Sequence, residues 1–176
     1  MYLDNAATTH KPHSVLNAVD RLYTEANANV HRALYSLGSE STERFENSRT
    51  KVADFINSNS AKEIIFTSGA TESCNHALLG AARLLGEERN HIVTSAIEHP
   101  AVLQTCEYLE NNENFEVSRV LPDSSGRICV EAVREAIRPD TLLVSLMAAN
   151  NEVGTLQPVA EVGELCSNSG ILFHTD

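Results

Sequence analysis

The sequence predicts an α/β fold: a mostly parallel sheet with helices on both faces. Three observations predict it. Short, apolar, β-branched segments recur along the chain, as in "HIVTSA" (His91–Ala96) and "TLLVSLMA" (Thr141–Ala148). Most of them are separated by stretches with apolar residues at helical spacing, the pattern of a sheet covered by helices. Several polar residues suited to chemistry follow the apolar segments directly, where open α/β sheets bind their ligands.

The elements follow in order. "PHSVLNAVDRLYTEA" sets Val15, Leu16, Val19, Leu22 and Tyr23 at helical spacing, and "SESTERFENSRTKVADFIN" does the same with Phe45, Val52, Phe55 and Ile56. "NSAKEIIFTSG" reads as a turn and then a strand over Ile64–Thr67. A helix follows in "TESCNHALLGAARLLG", with Gly86 as its stop. Then come strand "HIVTSA", helix "PAVLQTCEYLEN" with Pro100 suited to its first turn, and strand "FEVSRVL". The loop "PDSSGR" leads to a short helix, "VEAVREAI". Strand "TLLVSLMA", helix "VAEVGELCSNSG" and strand "ILFHT" complete the series. No linker divides the chain, so residues 1–176 are expected to form one domain.

Composition excludes several classes of function. The chain carries a net charge of −11, with its Lys and Arg scattered, so a polyanion such as DNA is repelled and no nucleic-acid partner is expected. No run of apolar residues is long enough to span a bilayer, and no membrane association is expected. "MYLDNAATTHKPH" lacks the basic and apolar regions of a secretory signal. The four cysteines, Cys74, Cys106, Cys129 and Cys166, show no C-x-x-C spacing, so no metal site is expected. Three lie in helical patterns beside apolar residues and read as small buried hydrophobes. Reduced thiols imply a cytoplasmic location.

Four strand ends carry candidate site residues. "SGATES" follows Ile64–Thr67 and offers Gly69, two hydroxyls and the free amides of a helix start. Such a start suits a phosphate, although the same stretch also reads as an ordinary helix cap. It is neither G-x-G-x-x-G nor a Walker A motif, so neither a dinucleotide nor nucleotide hydrolysis is indicated. "AIEHP" supplies His99, "AANNEVG" supplies Asn150, Asn151 and Glu152, and "ILFHTD" delivers Asp176. A phosphate site, an imidazole and a carboxylate on one edge suit a phosphorylated heteroaromatic ring. The carboxylate keeps a ring nitrogen protonated, and a protonated pyridine is what makes pyridoxal 5'-phosphate (PLP) an electron sink.

The motifs "YLDNAATT", "IIFTSGATES", "SAIEHPAV", "ANNEVGTLQP" and "ILFHTD" together resemble the cysteine desulfurases. These are class-V aminotransferase-family enzymes of the fold-type I PLP group. The resemblance covers essentially the whole chain. It implies that Ala70 and Thr71 hold the PLP phosphate, and that His99 stacks on the ring and assists proton transfer. It implies that Asn150 hydrogen-bonds near the ring hydroxyl and the substrate amine, and that Asp176 pairs with the pyridinium nitrogen. The implied reaction converts L-cysteine to L-alanine, with sulfur passed to an acceptor or scaffold protein in iron–sulfur assembly or thiolation. The full-length enzyme would be a homodimer.

"SGATES", "EHPAV" and "ANNEVG" resemble the NifS/IscS type, whereas the segment around His31 and Arg32 resembles the SufS type. The family's cofactor-binding lysine, on a later "SHK"-like segment, is not matched by Lys11, Lys51 or Lys62. Nor does any of the four cysteines match the family nucleophile. The expectation is therefore the N-terminal part of a large domain that stops before the lysine, inactive by itself. Two alternatives stand beside it: a non-catalytic half-module that binds PLP or phosphate, and a selenocysteine lyase or other class-V member. In fold-type I domains the strand matching Ile64–Thr67 pairs with a strand beyond Asp176. The resemblance thus implies a parallel core of four strands, near Ile92, Phe115, Leu142 and Ile171, with Ile64–Thr67 detached.

Overall fold

The computed structural model describes residues 2–32 and 34–176. They fall into two compact units, residues 1–66 and 67–176. The division lies between Phe66 and Thr67, just before the short Ser68-Gly69 step rather than in an extended linker.

Among its described residues the first unit holds two helices, α1 (His13–Glu25) and α2 (Ser36–Phe55), and a single 3-10 turn at Ala61–Glu63. Helix α1 forms where its spacing predicts but buries none of its residues. A helical pattern needs only local spacing, whereas burial needs a partner surface. Helix α2 starts at Ser36, three residues before the expected Ser39. Its Gly38 lies where a Cβ would stand 2.1 Å from the Arg32 carbonyl oxygen, so only glycine fits. Ser41 donates its hydroxyl to the Ala26 carbonyl (2.8 Å) and fastens α2 to the end of α1. The Arg49 guanidinium stacks on Phe45 and Phe66, at 4.9 and 5.4 Å from the ring centroids, and donates to the Ile64 carbonyl.

The expected strand at Ile64–Thr67 does not form. A strand exists only through a neighbour's ladder, and the Ile64 carbonyl is taken by Arg49 instead. The expected detachment of this segment from the sheet therefore holds, and its assignment as a strand does not.

The second unit is the predicted α/β sandwich. Its elements are α3 (Ala70–Leu85), β1 (His91–Ser95), α4 (Pro100–Asn112), β2 (Glu116–Val120), α5 (Val130–Ala136), β3 (Thr141–Ser145), α6 (Val159–Ser169) and β4 (Leu172–His174). The four strands form one all-parallel sheet in the order β2-β1-β3-β4. The central strands β1 and β3 are buried along all five residues, as a sheet covered on both faces requires.

Alternation along the strands sorts the core into two layers. Ile92 and Leu143 pack with Cys74, Leu78 and Ala82 of α3 and with Val102, Cys106 and Leu109 of α4. Val93 and Val144 point the other way, to Val133 of α5 and to Val162 and Cys166 of α6. The chain leaves β1 for β2 on one side, then crosses back to β3 on the other. The strand order therefore reverses between the carboxyl ends of β1 and β3, the crevice where open α/β sheets place their ligands.

Candidate functional site

The predicted site residues all follow or face the carboxyl ends of the strands. Ala70 and Thr71 are the first two residues of α3, with Gly69 at the N-cap. The first intrahelical bond runs from the Ser73 N–H to the Gly69 carbonyl (3.1 Å). The N–H groups of Ala70, Thr71 and Glu72 thus have no intrahelical acceptor, and they stand at the positive end of the helix dipole. Added bulk at Gly69 would meet nothing within 4 Å, so the space before these amides is open. Ser68, read in sequence as a second hydroxyl for a ligand, is committed elsewhere. Its N–H and O–H both donate to the Glu72 carboxylate, at 2.7 and 2.6 Å, and hold that carboxyl below its usual range. The helix is therefore capped from its own third position.

His99 is the N-cap of α4. Its Nδ1 accepts the Ala101 N–H at 3.1 Å, so the neutral ring carries its proton on Nε2. The ring is exposed and lines a groove of about 540 Å³ with Thr71, Asn75, Gln104, Thr105 and Tyr108. The Thr105 hydroxyl donates to Asn75 Oδ1 (2.9 Å) across the floor between α3 and α4. Thr71 and His99, far apart in sequence, thus share one groove.

Asn150 follows β3, and both ends of its carboxamide are engaged. Nδ2 donates to the Ile97 carbonyl (3.1 Å), and Oδ1 accepts the N–H groups of Glu152 and Val153, both at 3.0 Å. Asn150 therefore builds the turn at 150–154 and ties it to the loop after β1.

Asp176 follows β4. Its carbonyl accepts the Ala148 N–H (2.9 Å), which extends the β3–β4 pairing, and its carboxylate acts on the Cys74 thiol in the second turn of α3. Burial, and then the Asp176 charge, push that thiol up to about 11. Burial likewise pushes Cys106 to about 12 and Cys166 to about 11. Three of the four cysteines are thus the buried hydrophobes expected from sequence, while Cys129 is exposed.

No direct hydrogen bond joins Thr71, His99, Asn150 and Asp176 among the described residues. The residue that links their loops is one that the sequence reading passed over. Glu98 is only 5% exposed. Its Oε1 accepts the Ser95 hydroxyl at 2.6 Å and the Met147 N–H at 3.0 Å, while Oε2 has no partner. The available signal was an acidic residue three positions after a fully buried strand and directly before the His-Pro step, in "SAIEHP". Among the described residues no three His, Cys, Asp or Glu side chains gather as a metal site, and no helix is long and apolar enough to cross a membrane.

A parallel α/β sheet whose switch point gathers a free helix start, an exposed imidazole and a carboxylate defines a ligand-binding edge suited to a phosphorylated group. The chain belongs to the class-V aminotransferase family, which matches it over residues 1–176. It is 43% identical over its whole length to the probable mitochondrial cysteine desulfurase of Dictyostelium discoideum, of which it covers 39%. Among solved structures it is similar to a NifS-like protein, with a TM-score of 0.94 and 40% identity over all of this chain and 48% of that one. It is also similar to SspA in complex with cysteine, with a TM-score of 0.92 and 38% identity over 99% of this chain and 50% of that one. The chain thus spans half or less of the length of these relatives.

Proposed function

We propose that this chain is the cofactor-binding part of a PLP-dependent cysteine desulfurase, which converts L-cysteine to L-alanine and passes the sulfur to an acceptor protein. The observation that supports it most is the pairing of α3 with Asp176. The helix offers uncommitted amides at Ala70–Glu72, and about one turn further on its Cys74 lies within the influence of the Asp176 charge, which adds to burial in raising that thiol's pKa. An anion site and a carboxylate along one helix suit the two ends of a phosphorylated pyridine, so the residues present fit PLP.

When bound, PLP supplies the electron sink that stabilises negative charge at the substrate's α-carbon. The chain's own residues have simpler tasks. The amides of Ala70 and Thr71, with the Thr71 hydroxyl, hold the phosphate. Asp176 keeps the proton on the ring nitrogen. His99, exposed and with its proton on Nε2, would stack on the ring and move a proton at the substrate. Asn150 holds the loop after β3 against the loop after β1 and borders the ring hydroxyl. Residues 67–176 contain no lysine, and Lys11, Lys51 and Lys62 do not match the family's lysine position, so in this reading the covalent anchor, like the sulfur-carrying cysteine, comes from residues outside these 176.

The reading extends to a homodimeric enzyme, a sulfur acceptor in iron–sulfur assembly and a cytoplasmic setting. Four unpaired thiols support a reducing compartment, and the Dictyostelium relative is named as mitochondrial. The test is equilibrium dialysis of the chain against PLP and against pyridoxal. PLP should bind more tightly, and Asp176→Asn should weaken PLP. Equal binding of the two ligands would remove the phosphate site and the cofactor reading with it.

A further inference from the structure

We propose that Glu98 is a positioning residue carried as an uncharged carboxylic acid, which clamps the loop after β1 to the loop after β3 and so sets where His99 and Asn150 stand. The positioning role rests on the cofactor reading above; the uncharged state rests on the site itself.

The geometry makes the argument. Both donors that reach Glu98, the Ser95 hydroxyl and the Met147 N–H, converge on Oε1, as they would on the C=O of a carboxylic acid. Oε2 is left without a partner on a side chain that is 95% buried. An ionised oxygen in that position would be a buried, uncompensated charge, far costlier than a neutral O–H. The groups around it add no cation. Asp176 acts on it from the end of β4, and Glu98 in turn acts on Cys74 of α3 and Cys106 of α4. Burial first, and Asp176 last, push the Glu98 carboxyl up, against smaller opposing effects of Ser95 and Met147.

Two bonds cross the switch point, both donated from the loop after β3 to the loop after β1. Glu98 Oε1 takes the Met147 N–H, and Asn150 Nδ2 gives to the carbonyl of Ile97, the neighbour of Glu98. One residue beyond Glu98 stands His99, the N-cap of α4. The clamp therefore fixes both loops at once. Because it is uncharged, Asp176 remains the only anion of the pair that can hold a proton on a ring nitrogen.

The sign of the pH dependence follows. The folded Glu98 carboxyl lies above its ordinary value of 4.5, so its contribution to stability is complete below pH 4.5 and is lost as pH rises through the folded value. Glu98→Gln keeps an acceptor for Ser95 and Met147 and does not titrate. Its melting temperature should gain on the parent chain as pH rises from 4.5, and at pH 7 it should match or exceed the parent.

In infrared spectra of chain with labelled Glu carboxyls, the parent at pH 7 should show a protonated-acid C=O band that Glu98→Gln lacks. In dialysis, Glu98→Gln should keep PLP affinity within about twofold. A variant that breaks the clamp by the partner route, Ser95→Ala, should weaken PLP without abolishing the infrared band. Absence of the band, together with a Glu98→Gln chain less stable than the parent at pH 7, would overturn the proposal. If the parent binds PLP and pyridoxal equally, the positioning role falls with the cofactor reading, while the band still decides the uncharged clamp.

Discussion

The Asn150 carboxamide donates to the Ile97 carbonyl at 3.1 Å, so the loop after β3 is tied to the loop after β1 across the switch point of the sheet. The same side chain caps its own turn through Glu152 and Val153. Asn150→Ala removes all three bonds and leaves backbone groups without their partners. We expect a loss of about 1–3 kcal/mol, read from denaturant midpoints, since that is the usual cost of unsatisfied polar groups. Asn150→Asp keeps the acceptor but not the donor and should fall between the two. A chain unchanged by Asn150→Ala would show that the turn holds without it.

Thr71 sets the phosphate prediction. Thr71 lines the same groove as His99, at a helix start with free amides. Thr71→Ala should weaken PLP by about 1.5–3 kcal/mol, the range for a hydrogen bond to a charged group, and leave pyridoxal unaffected. An equal loss for both ligands would mean that Thr71 shapes the groove rather than meeting the phosphate.

The thiols should differ sharply in reactivity. Thiolate, not thiol, attacks alkylating reagents. A thiol at about 11, as for Cys74 and Cys166, is thiolate to only ~10⁻³ at pH 8, and Cys106 at about 12 still less. Exposed Cys129 should therefore take up iodoacetamide first in the native chain, with the other three labelled only after denaturation. Peptide mass spectrometry reads this directly. Early labelling of Cys74 would mean that α3 opens away from Asp176.

Acid should destabilise the second unit before its carboxylates titrate. His91 is fully buried, with Nδ1 at 2.7 Å from the Thr141 hydroxyl and Nε2 at 2.9 Å from that of Ser118. Burial lowers its pKa, and Arg138 adds to this, against Asp140 and Glu116. Burial lowers His174 as well, against Asp176. A depressed histidine binds its proton in the unfolded state first, so stability is present above pH 6.5 and lost as pH falls towards the folded value. Melting temperatures should begin to fall just below pH 6.5, and His91→Gln should flatten part of that slope. An unchanged slope in the variant would assign the transition to other groups.

Much of the second unit was legible because its local and global signals agree. The helices α3, α4 and α6 carry their apolar residues at helical spacing, and β1 and β3 are short β-branched runs buried on both faces. Ile64–Thr67 misled because composition records a preference for extended backbone but not whether a neighbour exists to pair with it. Helix α1 formed as its spacing predicts, and its exposure shows that amphipathic spacing marks a face, not what covers it. In the site, the strand-end rule pointed to His99, Asn150 and Asp176, and to Thr71 only through an expected strand that does not form. It missed Glu98 because one carboxylate in a sequence carries no sign of its burial, which depends on a bond to Met147 almost fifty residues away.

The strand order has a consequence for synthesis. The inner edge of β1 is completed by β3, which begins fifty residues later in the chain. At about 5–20 residues per second, a ribosome delivers β3 roughly 2.5–10 s after β1. Pairing between β1 and β2 is available sooner, but it leaves the buried side of His91–Ser95 open to any passing strand during that interval. The nascent chain is thus most in need of a chaperone between the emergence of β2 and that of β3. Crosslinking to chaperone should peak on ribosome-stalled chains ending within that window and decline once β3 has cleared the exit tunnel.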